Sequence, residues 1–189
     1  MRLLPAPIIY MMLCSLFLFQ SCSEDEDTPS RKEMLTGTWA IQQSDLTNYS
    51  ISVGSIVFNK DNIKSIFSED QISEYEQILN AAAEDLFPQN STVTFNEDNT
   101  LGFDNGVSDL LEGETWALQS NEQELNVSVD ETNVQNIVFS VEELSNEALS
   151  LVLTISQEEV ESLGDFNFEI SGVEIQDFTL EYTFDFTKQ

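Results

Sequence analysis

From Val93 to the C-terminus, apolar and polar residues alternate with a period of two. Val93 and Phe95 alternate with Thr92, Thr94 and Asn96, and Leu125, Val127 and Val129 with Asn126, Ser128 and Asp130. Ile137, Phe139 and Val141 follow, then Leu149, Leu151, Leu153 and Ile155. The series ends with Phe178, Leu180, Tyr182, Phe184 and Phe186 set against Thr179, Glu181, Thr183 and Asp185. Side chains of a strand point to opposite faces in turn, so strict alternation buries one face and wets the other, the habit of antiparallel sheet. Turn formers separate the runs: Glu97-Asp98-Asn99, Asp104-Asn105-Gly106, Ser120-Asn121-Glu122 and Ser145-Asn146-Glu147. Short strands joined by tight turns predict a meander, and a meander of about eight strands hides its edges by closing into a barrel.

Before Val93 the pattern is less regular. Arg31 to Leu35 reads as a helical turn, Trp39 to Leu46 as a strand, and Ile51 to Phe58 as a weaker strand. Then Ile72, Tyr75, Leu79, Ala82 and Leu86 recur every three or four positions, which predicts an amphipathic helix over 68–87. Ser68 with Gln71 forms a candidate capping box, and Pro88 limits the far end. The fold class expected is all-β: an antiparallel up-and-down barrel over 33–189 with one inserted α-helix.

The chain begins with Arg2 and an apolar run from Leu3 to Phe19 that contains Pro5 and Pro7. A membrane-spanning helix needs about 20 apolar residues, so this run suits the core of a signal peptide better than a permanent anchor. Gln20-Ser21-Cys22 follows, then Ser23-Glu24-Asp25-Glu26-Asp27. This junction resembles a bacterial lipoprotein signal, in which a small residue precedes a cysteine that receives a diacylglycerol thioether and further acyl chains of the palmitate class. The resemblance implies a signal peptide over 1–21, lipidation of Cys22, and membrane attachment through the acyl chains. The cysteine count agrees: Cys14 lies in the signal core, and 23–189 contains none for a disulfide. Residues 22–32, polar and acidic, read as a tether too poor in apolar residues to order itself. Ser23 resembles the residue that sorts lipoproteins to the outer membrane. Ser23, Glu24, Asp25, Glu26 and Asp27 together resemble an acidic export signal, which implies the cell surface, with the periplasmic face as the alternative for a plain spacer.

Charge narrows the function classes. With 35 acidic and 6 basic residues the formal charge is −29, which excludes nucleic acid as a partner. The acids are spread along the chain, as on a solubilising surface. There is no histidine, and the 7 glycines form no phosphate loop, so Ser-His-Asp chemistry and the usual zinc sites are out of reach. No catalytic residue, cofactor or metal is expected. The oxygen-rich segments Asn96 to Asn99 and Asp130 to Asn133 lack EF-hand spacing and read as turns.

Leu35-Thr36-Gly37-Thr38-Trp39 resembles the Gly-x-Trp opening of the lipocalin family. Thr94-Phe95-Asn96-Glu97-Asp98-Asn99-Thr100 and Gly113-Glu114-Thr115-Trp116-Ala117-Leu118 are similar to a hairpin and a strand of bacterial lipocalin-like lipoproteins. The chain departs from that pattern at Asn99, which stands in place of the hairpin glycine, and in its inserted helix. The resemblance implies a non-enzymatic, membrane-anchored protein that binds a small apolar or amphipathic ligand. Candidate lining residues are Trp39, Phe95, Trp116, Phe139, Tyr182 and Phe184, all on the apolar phase. The same residues equally suit a solid core. The rival function is then an accessory subunit of an outer-membrane protein assembly, contacting an envelope protein partner.

Overall fold

The computed structural model describes residues 29–104, 115–128, 136–158, 169–170, 173–175 and 177–189. The signal segment, Cys22 and the run Ser23 to Asp27 lie outside the described residues, as does the turn at Asn105-Gly106. One compact unit runs from Arg31 to Gln189. It opens with a short helix, α1 (Arg31–Leu35), which includes Arg31 and Lys32, the last two residues of the segment read as tether.

The strands are β1 (Gly37–Val53), β2 (Ile56–Asn59), β3 (Thr92–Phe95), β4 (Leu101–Asp104), β5 (Thr115–Gln119) and β6 (Glu124–Ser128). They continue with β7 (Ile137–Leu144), β8 (Ala148–Ser156), a small separate hairpin of β9 (Glu169–Ile170) and β10 (Val173–Glu174), and β11 (Asp177–Lys188). Neighbours in the main sheet run β4-β3-β1-β11-β8-β7-β6-β5, all antiparallel. The meander is therefore an eight-stranded, nearly closed up-and-down barrel, sealed by β1 against β11. Its seam lies between β4 and β5, where Thr100 bridges Thr115 and the Trp116 N–H donates to the Asn99 carbonyl at 2.8 Å. Asn99 has φ +68°, so asparagine supplies the left-handed turn residue that a hairpin glycine would.

The sequence pattern predicts two strands before the helix, but the structure contains one 17-residue strand and a four-residue return. Bulges explain the discrepancy. The pairing of β1 with β11 slips between Ile41 and Gln43 and again between Leu46 and Asn48. Each extra residue resets the inward phase, giving the buried pairs Trp39 and Ile41, Ser44 and Leu46, Tyr49 and Ile51. A continuous period-two reading would have turned Gln43, Asp45 and Thr47 inward.

The 18-residue helix α2 (Glu69–Leu86) matches the predicted range. The Ser68 side chain accepts from the Gln71 N–H at 3.3 Å, and Gln71 Oε1 accepts from the Ser68 N–H at 3.0 Å. The helix ends at Phe87, whose N–H reaches the Ala83 carbonyl at 3.1 Å just before Pro88. Ile72 and Ala83 are buried, with Tyr75, Leu79 and Leu86 partly so.

This helix occupies a gap in the wall. On one edge β1 pairs with β3 over Gly37 to Ala40 and with β2 over Ser50 to Val53, leaving its middle without a strand partner on that side. Other groups satisfy it there. The Ile41 N–H donates to Ser91 O at 3.1 Å, and Ser44 Oγ donates to Phe87 O at 2.9 Å. The Leu46 N–H donates to Asn80 Oδ1 of α2 at 2.8 Å, while Lys60 Nζ donates to the Leu46 carbonyl at 2.8 Å. The insertion thus does the work of wall along the middle of β1.

Candidate functional site

The barrel interior is built in layers set by the β1–β11 register: Ile41 beside Phe186, Ser44 beside Phe184, Leu46 beside Tyr182, Tyr49 beside Leu180 and Ile51 beside Phe178. All six residues proposed from the sequence as lining a ligand site are buried. Phe95 and Trp116 meet edge to face at 5.5 Å, and Phe139 meets Phe184 at 6.1 Å. Tyr182 stacks beside Phe184 at 6.5 Å, and burial pushes its phenol up to about 12. Trp39 sits apart, at the α1 end, where its indole N–H donates to Leu35 O at 2.7 Å.

The residue that joins these groups is Phe87, which the sequence pattern marks only as the end of a helix. Its ring lies 4.9 Å from Phe184, 5.5 Å from Phe186 and 6.0 Å from Phe139. The insertion therefore drives an aromatic plug into the space a ligand would occupy. The cavity left around Phe87, Phe95 and Phe139 measures about 10 Å³. A second, bounded by Phe178, Leu180 and the inner side of α2, measures about 20 Å³. One water needs roughly 10–15 Å³, and small-ligand sites run to roughly 300–1,000 Å³. Neither of these two cavities has room for more than a water or two.

A larger space, about 300 Å³, opens on the outside of the same end. Its walls come from β1, from α2 and from the segment after β2, and they include Tyr49, Lys60, Ile63, Lys64, Glu69 and Glu76. Tyr49 donates to Glu76 Oε1 at 3.3 Å. Its phenol is pushed up to about 12 by burial first, then by the Glu76 charge and the hydrogen bond to it. Lys64 pairs with Glu69 at 3.2 Å, and Lys60 lies 6.0 Å over the Tyr49 ring.

Three of the cations, Arg31, Lys32 and Lys188, gather at one end of the barrel. At the α1 end, Arg31 Nε donates to Glu122 O at 3.0 Å and Lys188 Nζ to Met34 O at 2.6 Å. Lys188 also stands 5.1 Å over the Trp39 ring, and Lys32 stands 5.6 Å over Trp116. Gly37, at φ +127°, leaves room for this closure, since a Cβ there would come within 2.9 Å of the Lys188 side chain. Among the described residues the only ion pair is Lys64–Glu69.

The two tryptophans differ in one testable respect. Trp39 makes the bond to Leu35 O, whereas Trp116 Nε1 is buried with no acceptor among the described residues. Trp39→Phe removes similar volume to Trp116→Phe but also orphans a carbonyl at the end of α1. It should cost about 1–2 kcal/mol more, read as the difference in urea unfolding free energy followed by circular dichroism.

Comparison of the chain with protein-family models, curated proteins and solved structures finds no match in any of the three. The fold itself places it among antiparallel up-and-down β-barrels of lipocalin-like form.

Proposed function

We propose that this chain is a lipid-anchored, non-enzymatic module of the bacterial envelope that works through its outer surface, as an interaction subunit of an outer-membrane protein assembly. The observation that carries the reading is the packing around Phe87: its ring lies against Phe139, Phe184 and Phe186 beside a cavity of about 10 Å³, and the second cavity, under α2, measures about 20 Å³. A small apolar ligand inside the barrel would have to displace that plug. The anchor rests on the likeness of Leu3 to Cys22 to a lipoprotein signal, and surface display on the acidic run Ser23 to Asp27.

Exposed apolar side chains support a contact role. Ile56 and Val57 on β2, Ile66 after it and Ile78 on α2 are all exposed, and all belong to the inserted segment between β1 and β3. Crosslinking and purification from membranes should yield a stoichiometric protein partner, and that partner should be lost when Ile56 and Val57 are replaced by glutamate. Native mass spectrometry of the freshly purified protein should show no tightly held apolar molecule. A one-to-one apolar ligand in that spectrum would overturn the reading in favour of a carrier.

A further inference from the structure

The external cleft of about 300 Å³ brings together groups that the contact role does not use. Two of the chain's six basic residues, Lys60 and Lys64, line it, and so do Glu69 and Glu76. Its floor is apolar, made by Ile63, Ile72 and the ring of Tyr49, all buried. The cleft is thus locally balanced in charge on a protein whose formal charge is −29.

That balance selects a ligand. A free cation is drawn to acidic surface everywhere and gains little from this place in particular. A free anion is repelled by the whole molecule and meets two carboxylates here as well. A compact dipole, with one charge of each sign a few ångströms apart, gains from both halves of the cleft and pays no net penalty in the field. The groups are open to exchange. Lys64 and Glu69 are 64% and 82% exposed, and such a pair is worth little on its own, so either can turn to a ligand. Lys60 has one acceptor, Leu46 O, which leaves its ammonium further donors for a carboxylate. Glu76 is held in place by Tyr49, which fixes one negative wall against the apolar floor.

We propose that this cleft binds a small zwitterion bearing an apolar group, a free amino acid being the fitting class. Its carboxylate meets Lys60 and Lys64, its ammonium meets Glu76, the carboxylate held by Tyr49, and its side chain lies on Ile63, Ile72 and the Tyr49 ring. The volume stands at the lower end of the range for small-ligand sites, roughly 300–1,000 Å³, which suits one residue and not a lipid. An open cleft of exposed charges implies weak binding, with a Kd of about 1 mM. It would escape detection as a co-purifying molecule, and it is independent of the contact role.

Calorimetric titration of the full-length protein with L-phenylalanine tests the proposal. Saturable binding is expected, weakened at least about fivefold for 3-phenylpropionate, which lacks the ammonium, and for 2-phenylethylamine, which lacks the carboxylate. The paired exchange Lys64→Glu with Glu69→Lys keeps net charge and the ion pair but reverses the local dipole. It should lower phenylalanine affinity at least about fivefold while lowering the urea midpoint only slightly, as expected for a cation in the first turn of α2. Lys60→Ala serves as a second variant with the same expected loss. Glycerophosphoethanolamine carries the zwitterionic phosphodiester headgroup of a lipid without an apolar side group, and should bind more weakly than phenylalanine. The proposal is overturned by absence of saturation at tens of millimolar (about tenfold above the expected Kd), by equal binding of 3-phenylpropionate, by wild-type affinity in the exchanged variant, or by tighter binding of glycerophosphoethanolamine.

Discussion

Replacing Phe87 by alanine should destabilise the protein by about 4 kcal/mol and lower its melting temperature by roughly 8–16 °C. The ring is 4% exposed and packs on Phe139, Phe184 and Phe186 with centroids 4.9–6.0 Å away. Truncation removes the buried apolar surface and opens a void beside the existing cavity of about 10 Å³. Rigid strands collapse little to fill such a void, so the loss falls within the range of about 3–5 kcal/mol for core aromatics. Phe87→Leu keeps most of the volume and should cost about 1–1.5 kcal/mol. Ile78→Ala, on the outer side of the same helix, should stay within about 0.5 kcal/mol of wild type. Urea unfolding of the three variants decides it. If Phe87→Ala and Ile78→Ala prove equally mild, the insertion is an appendage and not part of the barrel.

Much of this architecture is legible in the order of residues, for identifiable reasons. β8 keeps its apolar phase at Leu149, Leu151 and Leu153, β11 alternates without a break from Phe178 to Phe186, and their pairing is regular in the structure. Helix α2 shows its period and its capping box, because both are local. β1 is harder to read. Its two bulges replace a period of two with the spacing 39, 41, 44, 46, 49, 51, which resembles two strands with a break between them. The role of Phe87 is not local at all. A phenylalanine before a proline reads as the end of a helix, and only the return of the chain to β3 carries it between Phe139 and Phe184.

The same limit applies to the candidate sites. The apolar phase correctly groups Trp39, Phe95, Trp116, Phe139, Tyr182 and Phe184 as inward, yet whether inward residues enclose space depends on what else enters. The external cleft was invisible for a different reason. Tyr49, Lys60, Lys64 and Glu76 come from three separate segments, and each looks ordinary in its own sequence context. Lysines are informative here because they are scarce: in a chain with 35 acids, the position of each cation narrows the field more than that of any carboxylate.

Replacing Cys22 by alanine should release the protein from membranes completely. Each buried methylene of an acyl chain contributes about 0.8 kcal/mol, and one chain alone gives only marginal attachment, so the proposed anchor needs several chains on Cys22. Among the described residues no helix is long and apolar enough to cross a membrane, and the formal charge of −29 repels an anionic surface. Phase separation in detergent, followed by intact mass, measures the effect. The variant should leave the detergent phase and lose the acyl mass together. Changing Glu24, Asp25, Glu26 and Asp27 to alanine should do something different, because those residues stand within about 18 Å of contour from Cys22, at roughly 3.5 Å per residue. A transport factor reading the membrane-proximal end by charge would lose its signal while the lipid stayed in place. That variant should remain in the detergent phase yet become protected from protease added to intact cells. A spacer would depend on length and not on charge, so unchanged protease sensitivity would reduce the acidic run to a solvated linker and leave Cys22 as the only part of the junction with a function.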